Sequence, residues 1–302
     1  MHKNLLHLLI CLVGLATTGY SQVIDHHEFV GTIQLEDQSV ITYKLLFDEY
    51  ANGSIAGTSI TDFAGSHRTE SDIKGVLNDR RDKISFRELS NITTKSDIAS
   101  DDFCYIQMDR GDVSLSRKKA MIKGNFTSQY TSGEDCIQGT IMLMSEAVFS
   151  KKLASVTKKV KRFAPRSKKQ KTLEVLEDSK LSLDETLVLK DGEVLTFSAY
   201  TDTITLQVWD DQYIDGDQIT ISVNGTPIIS GHEVKQTVEV FEIPLPTNTT
   251  TITISADNEG KYPPNSSNVS ILHEETTIPV SVRLLEGKVA TFSFVKQLAA
   301  EE

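Results

Sequence analysis

Apolar residues at every second position, interrupted by short turn signals, fill both halves of this chain and point to β-structure throughout. In the first half the runs Phe29/Gly31/Ile33/Leu35, Ile73/Gly75/Leu77, Ile122/Gly124/Phe126 and Ile137/Gly139/Ile141/Leu143 each carry a glycine on their apolar face. A glycine there lets a strand coil tightly and leaves room for a large neighbour across the core. Turn signals at Glu36-Asp37, Asn52-Gly53, Asn78-Asp79, Arg110-Gly111-Asp112 and Ser132-Gly133 separate the runs. Residues 22–145 therefore predict an up-and-down meander of about eight strands, a β-barrel or a barrel-like sheet. Such a barrel either fills with side chains or holds one small ligand.

The second half, residues 187–296, repeats the alternation in Leu195/Phe197/Ala199, Ile252/Ile254/Ala256, Ile278/Val280/Val282/Leu284 and Phe292/Phe294. About eight strands in this length fit an immunoglobulin-like or jelly-roll β-sandwich. Its most informative stretch is Val208–Gly225, which holds the only Trp. Ile204/Leu206/Val208 and Ile219/Ile221/Val223 read as two strands, with Asp210, Asp211, Asp215 and Asp217 on the connection and Gly216 at its turn. No Lys or Arg occurs from Asp191 to Val234, so four carboxylates share one loop without a local counterion. Hard oxygen ligands of this kind suit Ca²⁺. The spacing is not that of an EF-hand, and an ordinary solvated acidic turn is the competing reading. Asp257 or Asn258, ahead of Pro263-Pro264, would supply a further oxygen if that loop lies at the same end of the sandwich.

The Trp-Asp…Asp-Gly-Asp…Asn-Gly block, followed by Ala-x-Asn-x-Gly-x-x-Pro-Pro-Asn from Ala256 to Asn265, resembles a β-sandwich module that recurs in uncharacterised exported two-domain β-proteins of Gram-negative bacteria. The resemblance covers residues 187–296 and implies fold and export. It brings no activity with it. The first half resembles lipocalins and avidins in architecture only. The lipocalin Gly-x-Trp signature is missing, and no Trp stands in residues 22–145 to build an avidin-type pocket.

Between the β blocks, residues 146–186 form a basic linker. Ten Lys and Arg residues from Lys151 to Lys171 meet no acid between Glu146 and Glu174. Phe149, Leu153, Val156, Val160 and Phe163 recur at steps of four and three, one stripe of a helix that Pro165 ends. The stripe either packs on a neighbouring domain as a connector or makes a peripheral contact with an anionic membrane or an acidic partner.

Residues 1–21 read as a cleavable signal peptide: Lys3, an apolar run from Leu5 to Leu15, and small residues at Gly19 and Ser21, with cleavage before Gln22. The expected destination is the periplasm, the cell surface or the extracellular space, and no stretch is long enough for a transmembrane helix. Two cysteines then remain, Cys104 and Cys136, and an even count in an exported chain favours a disulfide. Residues 297–302 read as a tail.

A formal charge of −11 disfavours a nucleic-acid partner. No nucleophile elbow, phosphate-binding loop, Rossmann glycine cluster or zincin pair is present. Asp25-His26-His27-Glu28 reads as a polar tail with weak metal-binding capacity. Arg110, Gly111 and Asp112 match an adhesion tripeptide and make a good hairpin turn. The leading expectation is an exported, non-catalytic binding protein with a glycan, an envelope component or a protein as target. The alternatives are a carrier of a small apolar ligand in the barrel and an enzyme of unrecognised type.

Overall fold

The structure, a computed structural model, describes residues 22–62, 67–96, 102–116, 119–163, 165, 187–210, 215–273 and 276–297. The expected signal peptide, Asp211, most of the linker beyond the helix, and residues 298–302 lie outside the described residues.

The fold is all-β with one helix among the described residues. Eight antiparallel strands make the first unit: β1 (Val23–Leu35), β2 (Val40–Tyr50), β3 (Ser54–Asp62), β4 (Thr69–Leu77), β5 (Lys83–Thr94), β6 (Tyr105–Ser114), β7 (Met121–Gln129) and β8 (Gly139–Ser145). Each pairs with its neighbours in sequence, and β1 pairs with β8 from Phe29↔Ser145 to Leu35↔Gly139, so the meander closes into a barrel. Alternation decides which residues face inward: Tyr43, Leu45 and Phe47 of β2 meet Phe29, Ile73, Phe86 and Ile141 in one buried cluster.

The glycines serve both expected purposes: Gly139 leaves room for the Phe126 ring and Gly124 for Met108, while others let backbones close up. A Cβ at Gly31 would sit 2.1 Å from the Met142 carbonyl oxygen, and one at Gly57 equally close to that of Leu46. The tight approach is between backbones of paired strands, which is how a small barrel coils its sheet.

Cys104 and Cys136 form the disulfide, with Cα atoms 5.9 Å apart. It ties the residue just before β6 to the connection between β7 and β8.

The second unit packs two five-stranded sheets over one core. One sheet is β14 (Glu239–Pro244), β11 (Thr203–Trp209), β16 (Asn265–His273), β17 (Thr276–Leu284) and β9 (Leu187–Lys190). The other is β13 (Thr226–Glu233), β12 (Gln218–Val223), β15 (Thr249–Ala256), β18 (Val289–Lys296) and β10 (Val194–Ala199). Inward residues of both, including Leu206, Val208, Ile221, Ile254, Val280, Phe197, Phe292 and Phe294, share one core.

The two units share backbone pairing. Strand β5 pairs with β6 only from Lys83 to Arg87, and its far end, Thr93 and Thr94, pairs with Phe197 and Thr196 of β10. Sheet order therefore runs unbroken from the barrel into the sandwich. The half-buried Lys95 side chain reinforces the joint, donating from Nζ to the Val188 carbonyl at 2.8 Å and to the Glu193 carboxylate at 3.0 Å. Ile92 packs partly against the sandwich core.

Helix α1 (Glu146–Phe163) leaves β8 directly and packs on β1 and β8.

Two expectations about local structure are corrected. Asp25-His26-His27-Glu28 is no tail; it lies in β1, paired with β2 from Glu49 to Leu46. His27 gives its ring to Glu49 (Nε2 to Oε2, 2.9 Å) and stacks at a tilt on Phe47, which explains why the segment is ordered. Arg110-Gly111-Asp112 is no hairpin tip; it is an irregularity inside β6, where Arg110 takes φ +53° and the pairing with β7 skips from Gln107 to Asp112. Asp112 is engaged by Lys83 at 2.5 Å, and Gly111 lies against Met108, so the tripeptide forms part of a strand wall.

Candidate metal centre

The acidic connection sits at one end of the sandwich, where β11 leaves one sheet and β12 enters the other. Asp210 follows β11, and its amide donates to the Lys235 carbonyl at 2.8 Å. Asp217 precedes β12, and its carbonyl accepts from Val234 at 2.9 Å. Both side chains are 2 % exposed, while Asp215 is half-buried. The backbone reverses at Gly216 with φ +93°, which favours glycine and brings Asp215 and Asp217 round to the same side.

Carboxylate oxygens of Asp210, Asp215 and Asp217 all lie within 4.8 Å of one another. That is the span of oxygens bound on opposite sides of one ion at about 2.4 Å each. One oxygen of each later aspartate is fixed by the loop before β16 or by the start of that strand. The Tyr262 amide donates to Asp215 Oδ2 and the Ser266 amide to Asp217 Oδ2, both at 2.8 Å. The other oxygens, Asp215 Oδ1 and Asp217 Oδ1, are buried and have no hydrogen-bond partner. Gly260 allows this approach, because a Cβ there would stand 2.5 Å from Asp215 Oδ1.

Electrostatics match the geometry. Burial pushes the Asp217 carboxyl up from 3.8 to about 6. The Ser266 N–H opposes the shift, and the charges of Asp215, Asp210 and Glu259 add to it. An ionised buried carboxylate surrounded by like charge is a costly arrangement unless a cation offsets it.

The flanking loop does lie at the same end, but its two candidates play other parts. Asn258 braces the turn: its Oδ1 accepts from the Gln218 amide at 2.8 Å and its Nδ2 donates to the Gly216 carbonyl at 2.9 Å. Asp257 turns away from the cluster, accepting from Thr220 Oγ1 at 2.8 Å and from the Gly231 amide at 3.2 Å. The buried Asn265 closes the frame, donating to the carbonyls of Gln218 and Asn258. Asp211 lies outside the described residues.

Two further buried carboxylates were not singled out from the sequence. Glu88 accepts from Tyr43 Oη (2.9 Å), Ser59 Oγ (2.5 Å) and the Ile106 amide (2.7 Å) inside the barrel. Burial raises the carboxyl of Glu88 and raises the Tyr43 phenol well above its usual range. Glu49 is held by His27 and Arg81. Their position at inward parity after Ile84/Phe86 and Leu45/Phe47 was the available signal. Both carboxylates are met by hydrogen-bond donors, whereas the sandwich cluster leaves two oxygens unmet.

Comparison with protein-family models, with curated proteins and with solved structures returned no match for this chain.

Proposed function

We infer that this chain is an exported, non-catalytic binding protein whose sandwich end is organised by a bound calcium ion. The observation that carries the reading is the convergence of Asp210, Asp215 and Asp217 with two buried, unmet carboxylate oxygens. An all-oxygen set of carboxylates without His or Cys suits a hard cation such as Ca²⁺.

The ion's role is structural and presentational. It would pin the connection after β11 to the loop before β16, and that loop carries Tyr262 with 67 % exposure. An exposed tyrosine on a braced loop offers an amphipathic contact surface for a glycan, an envelope component or a protein. The export signal read at residues 1–21 and the disulfide of the barrel fit an oxidising compartment.

The test has two arms. Thermal unfolding of the full chain is measured in EDTA, Mg²⁺ and Ca²⁺. Calcium at about a hundredfold excess over its dissociation constant should add roughly 2.7 kcal/mol to unfolding free energy. Asp215→Ala should remove the response, and identical melting in all three conditions refutes the metal. In the second arm, glycans and envelope fractions are screened with Ca²⁺ or EDTA. A target retained equally in both, and indifferent to Tyr262→Ala, refutes this loop end as the binding surface.

A further inference from the structure

A separate surface lies at the other unit, on helix α1. Phe149, Leu153, Val156 and Val160 stand at steps of four, three and four and so share one face. None of them belongs to either hydrophobic core; Phe149, Leu153 and Val160 are half-buried and Val156 is 44 % exposed. The appreciable contacts of α1 among the described elements are with β1 and β8, the strands beside its start. Lys151, Lys152, Lys158, Lys159, Lys161 and Arg162 occupy the rest of its circumference, against Glu146 in the first turn. In a chain of formal charge −11 this concentrates positive charge on one element.

The barrel wall formed by β7 and β8 also exposes apolar side chains. Met142 on β8 is 59 % exposed and Met121 on β7 is 37 % exposed, and the strand register sets Met121 against Met144 and Lys123 against Met142. Methionine and lysine therefore alternate across the outward face of β7 and β8.

We propose that α1 and this methionine patch dock on an anionic lipid surface, with the helix lying in the plane of the headgroups. Charge selects that occupant: the basic helix is attracted to anionic lipid while the acidic remainder is repelled, which fixes one orientation. No described helix is long and apolar enough to cross a membrane.

The test is vesicle co-sedimentation of the full chain and of the chain from Gln22, which keeps every described strand. Vesicles of phosphatidylglycerol and phosphatidylcholine in equal parts should retain it, phosphatidylcholine alone should not, and high salt should release it. Lys158→Glu with Lys159→Glu should weaken retention at least about tenfold. Val156→Asp, at the exposed position of the stripe, should weaken it as well, and both variants should melt like the parent. Equal retention on neutral vesicles, no effect of either variant, or no retention at all overturns the proposal. Binding to soluble polyglutamate without vesicle binding assigns the face to an acidic protein and overturns it too.

Discussion

Asp217→Asn should stabilise the metal-free protein at neutral pH, although it removes a buried, hydrogen-bonded side chain. The Asp217 carboxyl is raised from 3.8 to about 6 by burial first and by the charges of Asp215, Asp210 and Glu259 after it. A shift of about two units sets an upper limit of about 3 kcal/mol on the destabilisation by ionised Asp217, reduced by solvent screening of the charge. The sign follows from proton uptake. The folded state holds its proton to higher pH than the unfolded chain, so stability falls as pH rises from about 4 to about 6 and stays reduced above that. Asparagine removes the charge, keeps an oxygen to accept the Ser266 amide, and places its NH₂ where Asp217 Oδ1 has no donor. In EDTA at pH 7 the variant should gain up to about 3 kcal/mol over the parent, with a higher melting temperature and a midpoint shift in urea at unchanged slope. The gain should vanish near pH 4, where parent and variant are both neutral. In saturating calcium the order should reverse, because the parent gains the ion and the variant loses a ligand. A metal-free variant less stable than the parent at pH 7 would show that the carboxylate is compensated within the protein, and the argument for a cation would fail with it.

Three other outcomes follow from the same structure. Glu88→Gln keeps one acceptor where the carboxylate serves Tyr43, Ser59 and the Ile106 amide; orphaning a donor should cost about 1–3 kcal/mol, and a denaturation midpoint equal to the parent's would contradict that role. Because burial raises the Glu88 carboxyl, the parent should also lose stability as pH rises through its folded value, and the Gln variant should lack that component. Removing the Cys104–Cys136 bridge, which spans a sequence separation of 32, should cost about 3–4 kcal/mol and appear as a lower melting temperature in Cys104→Ser with Cys136→Ser; an unchanged melt would remove the bridge from the stability of the barrel. Trypsin should cut first among Lys158–Lys171, yet the two fragments should co-elute on gel filtration because β5 pairs with β10 and Lys95 reaches across; Lys95→Met should weaken that association, and fragments that separate in the parent would contradict the joint.

What the sequence determined by itself was whatever repeats at short range. Period-two alternation assigned strands in both blocks, the four-and-three stripe assigned α1, and the acidic loop stood out because its charges are neighbours in the chain. Composition could also pair Cys104 with Cys136, since only two cysteines follow residue 21. Alternation is local and reports which side of a strand is buried, but it is blind to what that side meets. It could not show that the inward parity of β2 and β5 carries Glu49 and Glu88, because burying a carboxylate depends on donors such as Arg81 and Tyr43 from distant strands. The Arg-Gly-Asp turn failed for the same reason: residues that favour a turn also suit a bulge, and pairing with β5 and β7 chose the bulge. Tertiary structure alone decided the candidate metal centre. It turned Asp257 away to Thr220, set Asn258 to brace Gly216, and brought the amides of Tyr262 and Ser266 onto residues 47 and 49 positions earlier. Those amides take one oxygen from each aspartate and leave the other facing its like. That imbalance exists only after the two sheets have packed and water has been excluded between their loops.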